Sequence, residues 1–199
     1  WNPIQRQSLS KCFAMEVAIK STLERSGLRV EEIDAFDFYS CFPAPIEQAL
    51  DSLQIDPSDP RPFSITGGLA FAGGPGNNYV MHSLATAVAK LRNRPSELIL
   101  VTGVGMANTK HAATSLAHAE NVPDSATGLT DYRIETGDIA LEVDTKASGT
   151  CTVVTYTIEY NREGDPINVI YILDTRDGKR AIANTRDPGA TTRQILQSD

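Results

Sequence analysis

Hydrophobic residues in this 199-residue chain change their period partway along, and that change narrows the folds open to it. Up to about residue 100, helical spacing alternates with short apolar runs; from Thr150 onward apolar residues fall at every second position. Between Ser10 and Ser26, Cys12, Met15, Ile19 and Leu23 recur at helical spacing, and Gly27 stands where a helix stops. Ile33 to Tyr39 predicts a strand, with Phe36 and Phe38 on one face and Asp37 and Tyr39 on the other. A second helix opens near Pro45 and carries Ile46, Ala49, Leu50 and Leu53 on one stripe. Asp56 to Pro62, with three prolines in seven residues, reads as a loop. A third helix, Asn78 to Arg92, is expected to bury Met81, Leu84, Ala85, Val88 and Leu91. Leu98-Ile99-Leu100-Val101 is a continuous apolar run that suits a strand covered on both faces. Such alternation predicts a layered α/β sheet.

In the second region Val154, Tyr156, Ile158 and Tyr160 alternate with polar residues, and Ile167, Val169, Tyr171 and Leu173 repeat the pattern. Arg162-Glu163-Gly164-Asp165 and Asp177-Gly178 are turn signals. The expected organisation is an α/β domain over 1–120, a polar linker over 121–137, and a small antiparallel β module over 138–199 with a mobile tail from Asp187. A hydrophobic fraction of 41% excludes a disordered chain, and no apolar run approaches the roughly 18 residues of a membrane span. A net charge of −7, with scattered basic residues, argues against nucleic-acid binding. Cys12, Cys41 and Cys151 are too widely spaced to suggest a disulfide framework or a zinc site; no metal is expected. A reducing, cytoplasmic setting fits that usage, and no secretory signal is visible at Trp1.

The glycine-dense segment Gly67 to Asn78 precedes a helix, which invites a phosphate-binding reading. It lacks a Gly-Lys-Ser/Thr ending, and it lacks a strand followed by GxGxxG with a later acidic residue. Its glycines serve close backbone approach or positive φ, or they place bare backbone against a ligand.

Four stretches, in order, resemble the C-terminal half of a thiolase, most nearly the sterol-carrier-type thiolases and their thiolase-like relatives. The first is the helix followed by Gly27-Leu28 and Glu31-Glu32-Ile33-Asp34-Ala35. The second is Tyr39-Ser40-Cys41-Phe42, where family members carry Asn-Glu-Ala-Phe or His-Asp-Cys-Phe. Gly67-Gly68 through Gly73-Gly74-Pro75 occupies the place of the family's Gly-Gly…Gly-His-Pro loop, and Leu98 to Met106 parallels the strand and turn bearing Cys-x-Gly. The resemblance covers roughly residues 7–115. It implies a mixed, five-stranded sheet wrapped by helices, with Tyr39 and Gly74 facing one cavity. The strand-rich end is similar to the β domain appended to some thiolase-like proteins, or to OB-type modules.

The same resemblance implies acyl-CoA-handling chemistry, acyltransferase or carbon–carbon bond forming, in lipid metabolism, with a CoA thioester as substrate or ligand and no covalent cofactor. It also implies that the chemical positions are altered. Gly74 stands at the catalytic histidine, and the second catalytic cysteine falls near Thr102 or Gly103, whose side chains do not shuttle protons as a thiol does. The nucleophile's own segment lies in an N-terminal half, in the same protein or a separate chain. Tyr39 can still donate to a thioester oxygen, with Cys41 lining the pocket. His111 is the candidate substitute base, and Phe42, Gly73, Gly74, Pro75 and Gly76 are the candidate substrate-binding residues. A non-catalytic member that binds acyl-CoA or a protein partner is the other reading, and oligomerisation is left open. His82 reads as an ordinary surface or packing histidine, His118 has no context that assigns it a role, Cys12 and Cys151 read as small buried hydrophobes, and Asp34 and Asp37 as solvated.

Overall fold

The computed structural model describes residues 2–124, 126, 139–185 and 187–196; most of the expected linker, 121–137, lies outside them. The described residues divide into two compact units, those within Ser8–Asp138 and those within Trp1–Gln7 and Ile139–Asp199.

In the first unit, helix α1 (Phe13–Ser26) ends where Gly27 takes a left-handed φ of 65°. There its N–H and that of Leu28 reach back to carbonyls of the last turn. Strand β1 (Ala35–Asp37) is followed by α2 (Pro43–Leu53), the short α3 (Leu69–Ala72) and α4 (Tyr79–Asn93). Then come β2 (Leu98–Gly105) and β3 (Lys110–Ala117). The sheet is mixed, in the order β1-β2-β3: β1 lies parallel to β2 with Phe36 opposite Leu100, and β3 returns antiparallel with Ala113 opposite Thr102. Among the described residues it has three strands rather than the expected five. On the other edge of β1 an irregular segment takes a strand's place, the N–H groups of Phe36 and Phe38 donating to the carbonyls of Pro62 and Phe63. Two of the three prolines in 56–62 keep that segment from continuing as a regular ladder, because proline has no N–H to give.

Alternation in β1 and β2 sends side chains to opposite faces, and each face has its own core. Phe36, Phe38 and Leu100 pack with Met15, Ile19, Leu23, Leu50 and Leu53 of α1 and α2. Ala35, Ile99 and Val101 pack with Ala87 and Leu91 of α4. Each large side chain fully buried here contributes about 1.5–3 kcal/mol. The Leu98–Val101 run is covered on both sides because helices lie on both sides.

Two expectations are overturned. The face of α4 against the sheet is Tyr79, Ser83, Ala87 and Leu91, while Met81 and Val88 point outward, 57% and 40% exposed. Small residues at 83 and 87 let the helix approach the sheet closely, so the larger apolar stripe is the one turned away. Asp37, expected in solvent, is fully buried: its Oδ1 accepts from the Ser64 and Thr66 hydroxyls and from the N–H groups of Ile65 and Thr66. Asp34 is exposed, and its carboxylate accepts the Leu98 N–H.

The second unit is an antiparallel meander of β4 (Thr152–Tyr160), β5 (Pro166–Asp174) and β6 (Arg180–Asn184), an open three-stranded sheet among the described residues. Its hairpins turn at Gly164 and Gly178, both with positive φ, where the turn signals stand. The segment expected to be a mobile tail instead forms helix α5 (Pro188–Leu196), which packs on β5. The N-terminal segment joins this unit: the Leu141 N–H donates to the Gln5 carbonyl, and the buried Arg180 guanidinium donates to the Ile4 carbonyl at 3.4 Å. Among the described residues no helix is long and apolar enough to cross a membrane.

Candidate functional site

Tyr39 follows the end of β1, where open α/β sheets place ligand groups. Its backbone N–H donates to the buried Thr102 hydroxyl on β2 at 3.0 Å, fixing the chain as it leaves the sheet. Its ring meets the buried Tyr79 ring edge-on, centroids 5.2 Å apart. Burial pushes the Tyr39 phenol above its ordinary value, and the neighbouring Cys41 and Tyr79 act in the same direction. The phenol therefore stays a proton donor across the physiological range.

Two clefts meet at this ring. The more polar one, of about 400 Å³, is lined by Tyr39, Gly76, Asn77, Lys110 and His111 together with Gly103–Met106. The other, of about 440 Å³ and mostly apolar, is lined by Tyr39, Cys41, Phe42, Ala44, Pro45 and Val104–Asn108. Tyr39, Val104, Gly105 and Met106 belong to both walls.

The structure thus brings Tyr39, Gly76 and His111 to one cleft and Tyr39, Cys41 and Phe42 to the other. Gly73, Gly74 and Pro75 line neither. His82 packs near the Tyr79 ring, and His118 lies 3.8 Å from Glu120; neither lines a cleft.

The glycine loop is held by side-chain oxygens. Gly68 has φ 81° and ψ 178°, a conformation essentially confined to glycine, and a Cβ there would stand 2.6 Å from Ser40 Oγ. That hydroxyl accepts the Leu69 N–H at 3.1 Å. Asp37, through Thr66, links the loop to the Tyr79 hydroxyl. At Gly74 the surroundings are open, a Cβ meeting only Leu69 at 3.7 Å.

The shared wall ends in the β2–β3 turn, which sequence reasoning missed. Met106, Ala107 and Asn108 take φ values of 48°, 52° and 62°, three successive left-handed residues without a glycine, at about 1–2 kcal/mol each. The turn is fastened from several sides. Thr109 donates its N–H to the Gly105 and Met106 carbonyls, and the Asn108 amide donates to Gln48 Oε1 on α2 at 2.7 Å. The Asn108 carbonyl lies 3.1 Å from His111 Nε2. Asn108 was the available signal, since asparagine tolerates left-handed φ better than most residues. Gln48 gave none.

Residues 135–199 match the family model of the thiolase-like protein type 1 additional C-terminal domain. Among solved structures, a monomeric SCP2-thiolase-like protein type 1 from Mycobacterium smegmatis matches with a TM-score of 0.84 and 30% identity. That match covers 96% of this chain and 42% of that protein, so the chain spans less than half of the relative's length. No curated protein matches the sequence.

Proposed function

The chain belongs to the thiolase superfamily, and on that premise we propose that it is the part of a thiolase-like protein that holds an acyl-CoA thioester, with binding rather than Claisen chemistry as its main work. The observation that carries this reading is the position of Tyr39 on the wall of both a mixed, more polar cleft and a mostly apolar one. An acyl chain suits the apolar cleft beside Cys41 and Phe42. The polar cleft, with Asn77 and the Lys110 cation, suits the charged and amide-bearing remainder of the thioester. In this reading Tyr39, on the wall common to both, donates to the thioester oxygen.

The residues at the family's proton-moving positions support binding over turnover. Gly74 has no side chain, Gly103 none either, and the Thr102 hydroxyl already accepts the Tyr39 N–H. A catalytic reading has one observation in its favour: His111 lines the polar cleft that Tyr39 shares, and imidazole is a competent base. The nucleophile would then come from an N-terminal half, in the same protein or a docked chain. A cytoplasmic location and a place in lipid metabolism are part of the proposal.

The test is to assay the complete protein for acetoacetyl-CoA thiolysis and, by calorimetry, for acetyl-CoA binding. Binding without turnover is the expected result. Turnover abolished by His111→Ala would replace the binding reading with the catalytic one, and absence of both activities would remove the thioester from the account.

A further inference from the structure

The two clefts share a wall, and the residue at its rim is Met106: it is 73% exposed, lines both clefts and stands first in the left-handed turn. Strained backbone of this kind persists only where the surroundings over-determine it, and here they do. Gln48, itself buried, fixes the Asn108 side chain from α2, while the His111 ring holds the Asn108 carbonyl from β3. Two elements on either side of the clefts therefore fasten the turn whose backbone carries Met106. A flexible, polarisable side chain at such a boundary fills irregular apolar space and sets how much of it a ligand finds.

We infer that Met106 is a specificity-determining residue that partitions the two clefts and so limits the length of acyl chain accepted beside Cys41 and Phe42, with Gln48 as the residue that positions it. This rests on the thioester reading and adds to it a residue and a selectivity.

The experiment measures dissociation constants of the complete protein for S-ethyl-CoA and S-octyl-CoA, thioethers that are not turned over. The readout is the ratio of the two affinities. Met106→Ala opens the partition and shifts the ratio about tenfold toward the octyl compound, while Met106→Trp shifts it the other way; tenfold corresponds to about 1.4 kcal/mol. Gln48→Leu, which releases Asn108, moves the ratio in either direction, whereas Gln48→Glu, which still accepts the Asn108 amide, leaves it as in the parent. Circular dichroism confirms that each variant is folded. If all forms bind both thioethers with one unchanged ratio, the inference about Met106 is overturned while the thioester reading stands. If no folded form binds either compound, both are overturned.

Discussion

Cys12 Sγ stands 3.1 Å from His111 Nε2, and the same nitrogen lies 3.1 Å from the Asn108 carbonyl oxygen. A carbonyl oxygen only accepts, so Nε2 carries the proton at that contact, and the sulfur lies within reach of the same N–H. The residue that opens α1, the first residues of β3 and the strained turn are therefore joined through one imidazole. Replacing His111 by Phe fills the space but removes the donor, and is expected to destabilise the complete protein by about 1 kcal/mol in urea titration. Cys12→Ser, which keeps an acceptor near the ring, is expected to cost less than His111→Phe.

Asp37 ties β1 to the 64–66 segment through four hydrogen bonds to a single oxygen. Asp37→Ala leaves two N–H groups and two hydroxyls without that acceptor, and a loss of about 3 kcal/mol or more is expected at neutral pH. Asp37→Asn retains one carbonyl oxygen in place and is expected to lose less. Equal losses in the two variants would show that the hydrogen bonds to Oδ1 are not what the fold uses.

Two glycines in the same loop are expected to behave oppositely. Gly68→Ala places a methyl group against Ser40 Oγ in a conformation that L-residues avoid, and is expected to cost about 2–3 kcal/mol. Gly74→His enters open space, and a change in stability within about 0.5 kcal/mol is expected, measured by the same titration. That second variant also returns an imidazole to the position at which the superfamily resemblance expects one.

Arg61 fastens the proline-rich segment under β1. Its guanidinium donates to the carbonyls of Val30 and Ile33, stacks 4.9 Å from the Phe36 ring centroid and pairs with Asp59 at 2.7 Å. The pair holds the Asp59 carboxyl down at about 2, against 3.8 ordinarily. Because the folded value lies below the unfolded one, the stability this pair contributes is present above pH 3.8 and disappears as the pH falls toward 2. Acid unfolding of Asp59→Asn, followed by circular dichroism, is expected to depend less on pH across that window than unfolding of the parent.

Much of this architecture was legible in the sequence where one local rule decided the outcome. Gly27 stops α1, Phe36 and Phe38 share a face, Leu98 to Val101 is buried on both sides, and the β4–β6 hairpins turn at their glycines. What stayed hidden was set by neighbours distant in sequence. The buried face of α4 went unread because Ser83 and Ala87 carry little hydrophobic signal, yet their smallness is what admits the helix to the sheet. Asp37 reads as a surface carboxylate until the 64–66 segment folds over it. The β2–β3 turn has no glycine at its left-handed positions, so Asn108 alone marked the start of β3. The resemblance located Tyr39 and Cys41, but only the fold separates the cleft walls from Gly73, Gly74 and Pro75.

The account stands on a hydrogen bond from the Tyr39 phenol to a thioester oxygen, and one pair of ligands isolates it. Acetyl-CoA carries that oxygen and S-ethyl-CoA does not, while the two are otherwise alike in size. Calorimetric titration of the complete protein and of Tyr39→Phe with both ligands is predicted to show acetyl-CoA weakened by about three- to tenfold in the variant, as expected for one hydrogen bond, with S-ethyl-CoA unchanged. Equal affinities for acetyl-CoA in the two proteins, or an equal loss for both ligands, would contradict it.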